Sequence, residues 1–135
     1  MGLKFHPGQG SVVLCDYSTG FMPPEMVKRR PVIVLCKKMK GRPHLCTVVP
    51  LSTTAPDPVM DHHAEIELPF SLPRPFTSKT QWIKGDMVSA VSLDRLLSFR
   101  LGKAKDGKRI YLTETIGEDL LKIAHDCVIA SLGID

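Results

Sequence analysis

Arg30, Ser52 and Thr53 are the residues whose types and placement best suit chemistry at a phosphate. Arginine presents a planar fork of donors to phosphate oxygens, and hydroxyls add neutral donors beside it. Each lies at the end of an apolar run. The basic loop Glu25-Met26-Val27-Lys28-Arg29-Arg30-Pro31 leads into Val32 to Cys36, and after a turn Val48-Val49-Pro50-Leu51 runs out into Ser52-Thr53-Thr54. Antiparallel pairing of the two runs sets the end of the second beside the start of the first, so the guanidinium and the hydroxyls share one sheet edge above a buried floor. Plainer roles stand beside these: a surface ion pair between Arg30 and Glu25, and turn capping by Ser52 and Thr53.

Other side chains suggest the same kind of ligand less sharply. Trp82 with Lys84 suits stacking a base and pairing a phosphate, or else Trp82 is a core or subunit-contact residue. Lys28, Arg29, Lys37, Lys38, Lys40 and Arg42 form a basic rim that either steers a polyanion or is a solvated face. His62-His63 invites a metal or general-base reading, but neighbours on a strand point to opposite faces, so the pair reads as ordinary strand residues and no metal site is expected.

The elements that must position these groups are legible in part. A chain of 135 residues is expected to form one domain spanning 1–135, and 43% hydrophobic with 24% charged residues is ordinary for a folded soluble protein. The net charge of +4 favours anionic partners without separating a nucleic-acid binder from a mildly basic enzyme. Cys15, Cys36, Cys46 and Cys127 have no C-x-x-C spacing and read as small core residues of a reducing compartment. No secretory leader or bilayer-length apolar run is apparent, so the expected location is cytoplasmic, with no membrane partner.

Strands are predicted over Ser11 to Tyr17, Val32 to Cys36, His44 to Leu51, His62 to Leu68, Thr80 to Lys84, Met87 to Val91 and Ile110 to Leu112, with a helical turn at Ser92 to Leu97. Pro50 should fall where no ladder hydrogen bond is missed. Thr115-Ile116-Gly117-Glu118 has the form of a capping box before a helix from about Ile116 to Ser131, closed by Gly133. Leu120, Ile123, Ala124, Cys127, Val128 and Ser131 give that helix one packing stripe. Many short strands with one terminal amphipathic helix point to a mainly β, α+β fold, a small curled sheet or barrel capped by the helix.

In this order the motifs resemble those of the MazF/PemK toxins of toxin-antitoxin modules: Gly10-Ser11-Val12-Val13-Leu14-Cys15-Asp16, Glu25 with Arg30-Pro31-Val32-Ile33-Val34, Val48-Val49-Pro50-Leu51-Ser52-Thr53, and Asp86-Met87-Val88 through Arg95-Leu96. The resemblance covers about the whole chain. It implies an SH3-like barrel of about five to seven strands with a C-terminal helix, a homodimer, and an endoribonuclease held inactive by a cognate antitoxin. The family's catalytic pair falls on Arg30 and Ser52, with Glu25 and Thr53 in support and Lys28, Arg29, Trp82 and Lys84 toward RNA. Ser52 stands where Thr is commoner, and Met87-Val88-Ser89-Ala90 replaces a segment that carries Gln and a basic residue in many relatives.

The implied reaction is attack of a 2'-hydroxyl on the neighbouring phosphorus of single-stranded RNA, leaving a 2',3'-cyclic phosphate and needing no cofactor. The alternative is a barrel of the same kind that binds RNA or regulates without cutting, or a toxin that poisons a topoisomerase.

Overall fold

Residues 2–134 are described by a computed structural model of the chain. The β-branched runs form the main strands: β1 Val12–Asp16, β2 Arg29–Val34, β3 Leu45–Ser52, β4 His63–Glu67, β5 Thr80–Lys84 and β6 Ser89–Ser92. Shorter strands β7 Leu96–Leu97, β8 Arg100–Lys103 and β9 Arg109–Tyr111 follow, and helix α1 occupies Glu118–Ser131. Strand β2 begins three residues before the predicted start, so Arg29 and Arg30 belong to the sheet rather than to the loop.

All pairings are antiparallel, in the order β4-β5-β3-β2-β1-β7, with β6 also on β3 and with β8 and β9 forming a separate hairpin. One edge of β3 pairs with β2. Its other edge is shared, Leu45 to Val48 with β6 and Leu51 to Ser52 with β5. Pro50, which has no N–H to give, falls in the gap between those two ladders.

The expected SH3-like barrel does not close. Among the described residues no ladder joins the edge strands β4 and β7, so the sheet is curled but open. The cause lies between β6 and β7. Ser92 accepts a hydrogen bond from the Asp94 N–H at 3.1 Å, and the chain turns through a 3-10 turn at Leu93–Arg95. That turn leaves β6 on β3 and the two-residue β7 on β1, with nothing to zip the ends together.

The sheet buries both faces. On one, Ile33, Val49, Leu51 and Ile83 pack with Ala124 and Cys127 of α1. On the other, Val13, Cys15, Val32, Val34, Val48 and Leu96 form a second cluster. A fully buried Val, Leu or Ile is worth roughly 1.5–3 kcal/mol, which explains why β2 and β3 are apolar on both sides. The four cysteines are free; burial pushes the Cys15 thiol up to about 11 and the Cys46 thiol up to about 12. No helix among the described residues is long and apolar enough to cross a membrane.

Helix α1 starts later than its sequence suggests, and the capping box does not form. Ser11 bridges Thr115, and the Ile116 N–H donates to the Gly10 carbonyl at 3.0 Å, which holds 115–116 extended against the start of β1. Gly117, at φ 86°, then bends the chain into the helix without any side-chain cap. The other end follows expectation: Gly133, at φ 71°, donates to the Ala130 carbonyl and Ile134 to that of Ile129, a Schellman closure. On the packing stripe Leu121 takes the place expected of Ile123, which is 38% exposed.

Gly85 is where strand, turn and helix meet most closely. A Cβ there would lie 2.6 Å from the Cys127 carbonyl oxygen and 2.7 Å from that of His62, both backbone atoms. Gly85→Ala is expected to cost about 1–3 kcal/mol through overpacking, read as a lower denaturant midpoint with unchanged slope. Wild-type stability in that variant would mean that α1 is not seated against this turn.

Candidate active site

Register decides which side chains share a face. Cys15 pairs with Arg30, Val32 with Pro50, Ser52 with Trp82, Trp82 with Glu65, and Lys84 with His63. Carrying the β2–β3 register two residues past Val32 and Pro50 brings Arg30 opposite Ser52. Directly opposed residues lie on the same side of a sheet, as do alternate residues of one strand. Arg30, Ser52, Trp82 and Lys84 therefore occupy one face, beyond the apolar cluster built on Val32 and Val48.

The local contacts are specific. Arg30 is half-buried, and its Nε is fully buried with no hydrogen-bond partner among the described residues; the Tyr17 hydroxyl and Ser89 Oγ are in the same condition. An unsatisfied buried donor costs about 1–3 kcal/mol, more when charged, so the guanidinium is held ready for an acceptor. Ser52, 6% exposed, accepts a hydrogen bond from the Thr54 N–H at 3.1 Å, so it does cap the turn after β3. That bond uses a lone pair and leaves the hydroxyl proton to donate elsewhere. Thr53 is exposed.

Glu25 does not reach Arg30. Its carboxylate accepts from the Met22 N–H at 2.7 Å, and no ion pair joins the two among the described residues. Arg29, on the opposite side of β2 from Arg30, pairs with Asp16 at 3.4 Å and is largely exposed, as is Lys28. Hydrogen bonds from Ser18, aided by Arg29, hold the Asp16 carboxyl below its ordinary range.

Beside this face a hollow of about 320 Å³ is lined by Tyr17, Phe21, Pro24, Glu25, Met26 and the segment from Asp86 to Ser89. Met87, Val88 and Ser89 are thus part of a wall. Lys84 has its ammonium pushed below the ordinary lysine range, chiefly by burial and further by Arg30, while Asp86 opposes the shift. Arg30 and Lys84 are therefore two cations close enough to repel, the condition that an anion relieves.

The histidine pair departs from the sequence expectation. His62 precedes β4, in a turn whose His63 N–H donates to the Met60 carbonyl at 3.0 Å, so strand alternation does not apply to it. The imidazole centroids lie 4.2 Å apart, with His62 Nε2 3.6 Å and His63 Nε2 3.9 Å from the Asp86 carboxylate. The Met60 N–H donates to His63 Nδ1 at 3.0 Å. Neutral His63 must then carry its proton on Nε2, toward Asp86, and has no lone pair there for a metal. A second cluster of potential ligands, His6, Cys36 and Cys46, was not evident from spacing, because the three come from separate segments.

The curled sheet and its terminal helix thus carry a cationic face beside a hydroxyl. The sequence model for PemK-like, MazF-like toxins of type II toxin-antitoxin systems matches residues 8–118, and the chain belongs to that family. The chain is 29% identical to the uncharacterized protein YifN of Escherichia coli (strain K12), over 98% of this chain and 95% of that one. Among solved structures, MazF from Deinococcus radiodurans shares the fold, with a TM-score of 0.62 at 21% identity over 97% of this chain and 100% of that chain. So does a mycobacterial endoribonuclease in complex with its cognate antitoxin, with a TM-score of 0.60 at 16% identity over 96% and 98%.

Two titrations check this geometry. Arg30→Ala should raise the Lys84 pKa by removing a neighbouring positive charge, followed by NMR on the lysine ε-methylene; an unmoved Lys84 would separate the two cations. Burial, with help from His62 and Lys84 and against Asp86, lowers the His63 pKa. The unfolded chain then binds the proton more readily. The stability from neutral His63 is full above the unfolded value of about 6.5 and is lost as pH falls toward the folded value. His63→Gln should flatten the stability profile in that window, measured by urea unfolding at a series of pH values.

Proposed function

We propose that this toxin is an endoribonuclease of the cytoplasm, with residues 1–135 acting as one domain, and that it cuts single-stranded RNA at the face carrying Arg30 and Ser52. The observation that carries the reading is the buried, unpartnered Arg30 Nε, set by register across from Ser52 and near Lys84. The nucleophile is the substrate's own 2'-hydroxyl, so the protein need only remove its proton, stabilise charge at phosphorus and protonate the departing 5'-oxygen. The products are a 2',3'-cyclic phosphate and a 5'-hydroxyl end.

Arg30 serves as the charge stabiliser, because a preorganised cation aimed at the developing charge is often the largest catalytic contribution. A guanidinium, which proteins keep protonated, is a poor base. Ser52 donates its free proton to a non-bridging oxygen, and Thr53 stands at the rim. Lys84 supplies a second positive charge and Trp82 a surface on which a base stacks. Lys28 and Arg29 draw in the flanking phosphates. Glu25 acts through the loop it folds back on Met22, not by holding Arg30.

Two partners follow from the same reading. A cognate antitoxin, an acidic amphipathic segment, suits the basic loop before β2, and the active species is a homodimer. Co-expression with the protein encoded beside this one should relieve toxicity.

Purified protein incubated with single-stranded RNA in EDTA should give cleavage with cyclic-phosphate ends. Arg30→Ala should reduce the rate by about 10²–10³-fold with folding intact. Ser52→Ala and Lys84→Ala should each reduce it by roughly tenfold, the worth of one hydrogen bond to charge. RNA that is bound but left intact by the wild type would make this a binding protein rather than a nuclease.

A further inference from the structure

At the other end of β2 from Arg30, two thiols and an imidazole come together. The hydrogen bond from the Leu35 N–H to the Thr47 carbonyl, 2.9 Å, continues the β2–β3 register, so Cys36 lies directly across from Cys46. Their Sγ atoms and a ring nitrogen of His6 are all within 4.8 Å of one another. Cys46 is fully buried, whereas Cys36 and His6 are half-buried and give the cluster an open side. His6 arrives from the N-terminal arm, which is fastened by the Leu3 N–H to the carbonyls of Leu93 and Leu96 at 3.1 and 2.9 Å.

The details separate this cluster from the His62, His63 and Asp86 group. His6 Nδ1 lies 2.7 Å from the Pro7 carbonyl oxygen, which can only accept, so Nδ1 carries the proton and Nε2 has a free lone pair. That lone pair faces Cys36 Sγ at 3.8 Å. Bonds of about 2.3 Å from a zinc ion to sulfur and 2.0–2.1 Å to nitrogen place the two ligand atoms roughly 3.6–3.8 Å apart in trigonal or tetrahedral geometry. The Thr47 N–H donates to Cys36 Sγ at 3.3 Å and holds that sulfur beside β3. A backbone carbonyl fixing the histidine tautomer is the usual support of a ligating imidazole. His63, with its Nδ1 accepting from an N–H, has the opposite tautomer.

We propose that His6 Nε2, Cys36 Sγ and Cys46 Sγ form a binding site for a thiophilic divalent cation, zinc above all, with solvent in the fourth position. Binding releases the two thiol protons to water. The site is separate from the Arg30 face, since six positions of near-extended chain, about 20 Å, lie between Cys36 and Arg30. It staples the N-terminal arm to the start of β3.

The test uses the full chain, reduced and stripped of metal, titrated with Co²⁺ as a spectroscopic probe and then with Zn²⁺. Thiolate-to-cobalt charge-transfer absorption should saturate at a single equivalent and vanish as Zn²⁺ displaces the cobalt, with a rise in Tm. Cys36→Ser, at a half-buried position that should tolerate the change, and Cys46→Ala should abolish the absorption. His6→Ala should weaken Zn²⁺ binding by at least about tenfold. His62→Ala should leave it unchanged. Absence of the charge-transfer absorption, or its survival in folded Cys36→Ser, would overturn the site. So would thiol counting that finds Cys36 and Cys46 joined as a disulfide after preparation without reductant and unable to take up metal when reduced.

Discussion

The pairing of β2 with β3 is the constraint on which the rest depends. Setting Val32 against Pro50 does two things at once. It commits Val32, Val34 and Val48 to one buried cluster and Ile33, Val49 and Leu51 to the other. It also carries Arg30 and Ser52 to the same end of the same face. A slip of one residue would turn every one of these side chains to the wrong side, placing a guanidinium under α1. The apolar core thus fixes the polar site: the burial that stabilises the sheet leaves no second register in which the hydroxyl and the cation could separate.

Much of this was legible in the chain. The two apolar runs with polar ends identify themselves by composition, and antiparallel pairing is the least costly way to join runs separated by a short turn. The closure of the sheet was not legible. Ser92 to Leu97 reads as a short helical turn, but only Leu93–Arg95 is one and Leu96–Leu97 is strand; whether such a turn completes a ring or interrupts it depends on the length of strand beyond it. Here that is two residues. Thr115 and Glu118 match a capping box in spacing, yet pairing of the 115–116 backbone with 10–11 overrides the local preference.

Tautomers and cross-strand neighbours were beyond sequence reasoning for the same reason. His62 and His63 are adjacent in the chain, and strand alternation would part them; the turn before β4 brings them together. Cys36 and Cys46 are ten positions apart, a spacing without a signal of its own, and only the register sets them opposite each other. Family resemblance marks Arg30 and Ser52, but says nothing of the N-terminal arm. The unpartnered Arg30 Nε is likewise a property of the packed state, because it depends on which acceptors the surrounding strands withhold.

The shared edge of β3 has one more consequence. Because its ladder passes from β6 to β5 across Pro50, the sheet is two panels joined along a proline seam. The larger panel carries Arg30 and Ser52, and the smaller, of β4 and β5, carries Trp82 and Lys84. Substitutions in the smaller panel leave the β2–β3 register untouched, so the surface around Trp82 and Lys84 can be reshaped while Arg30 and Ser52 stay in place.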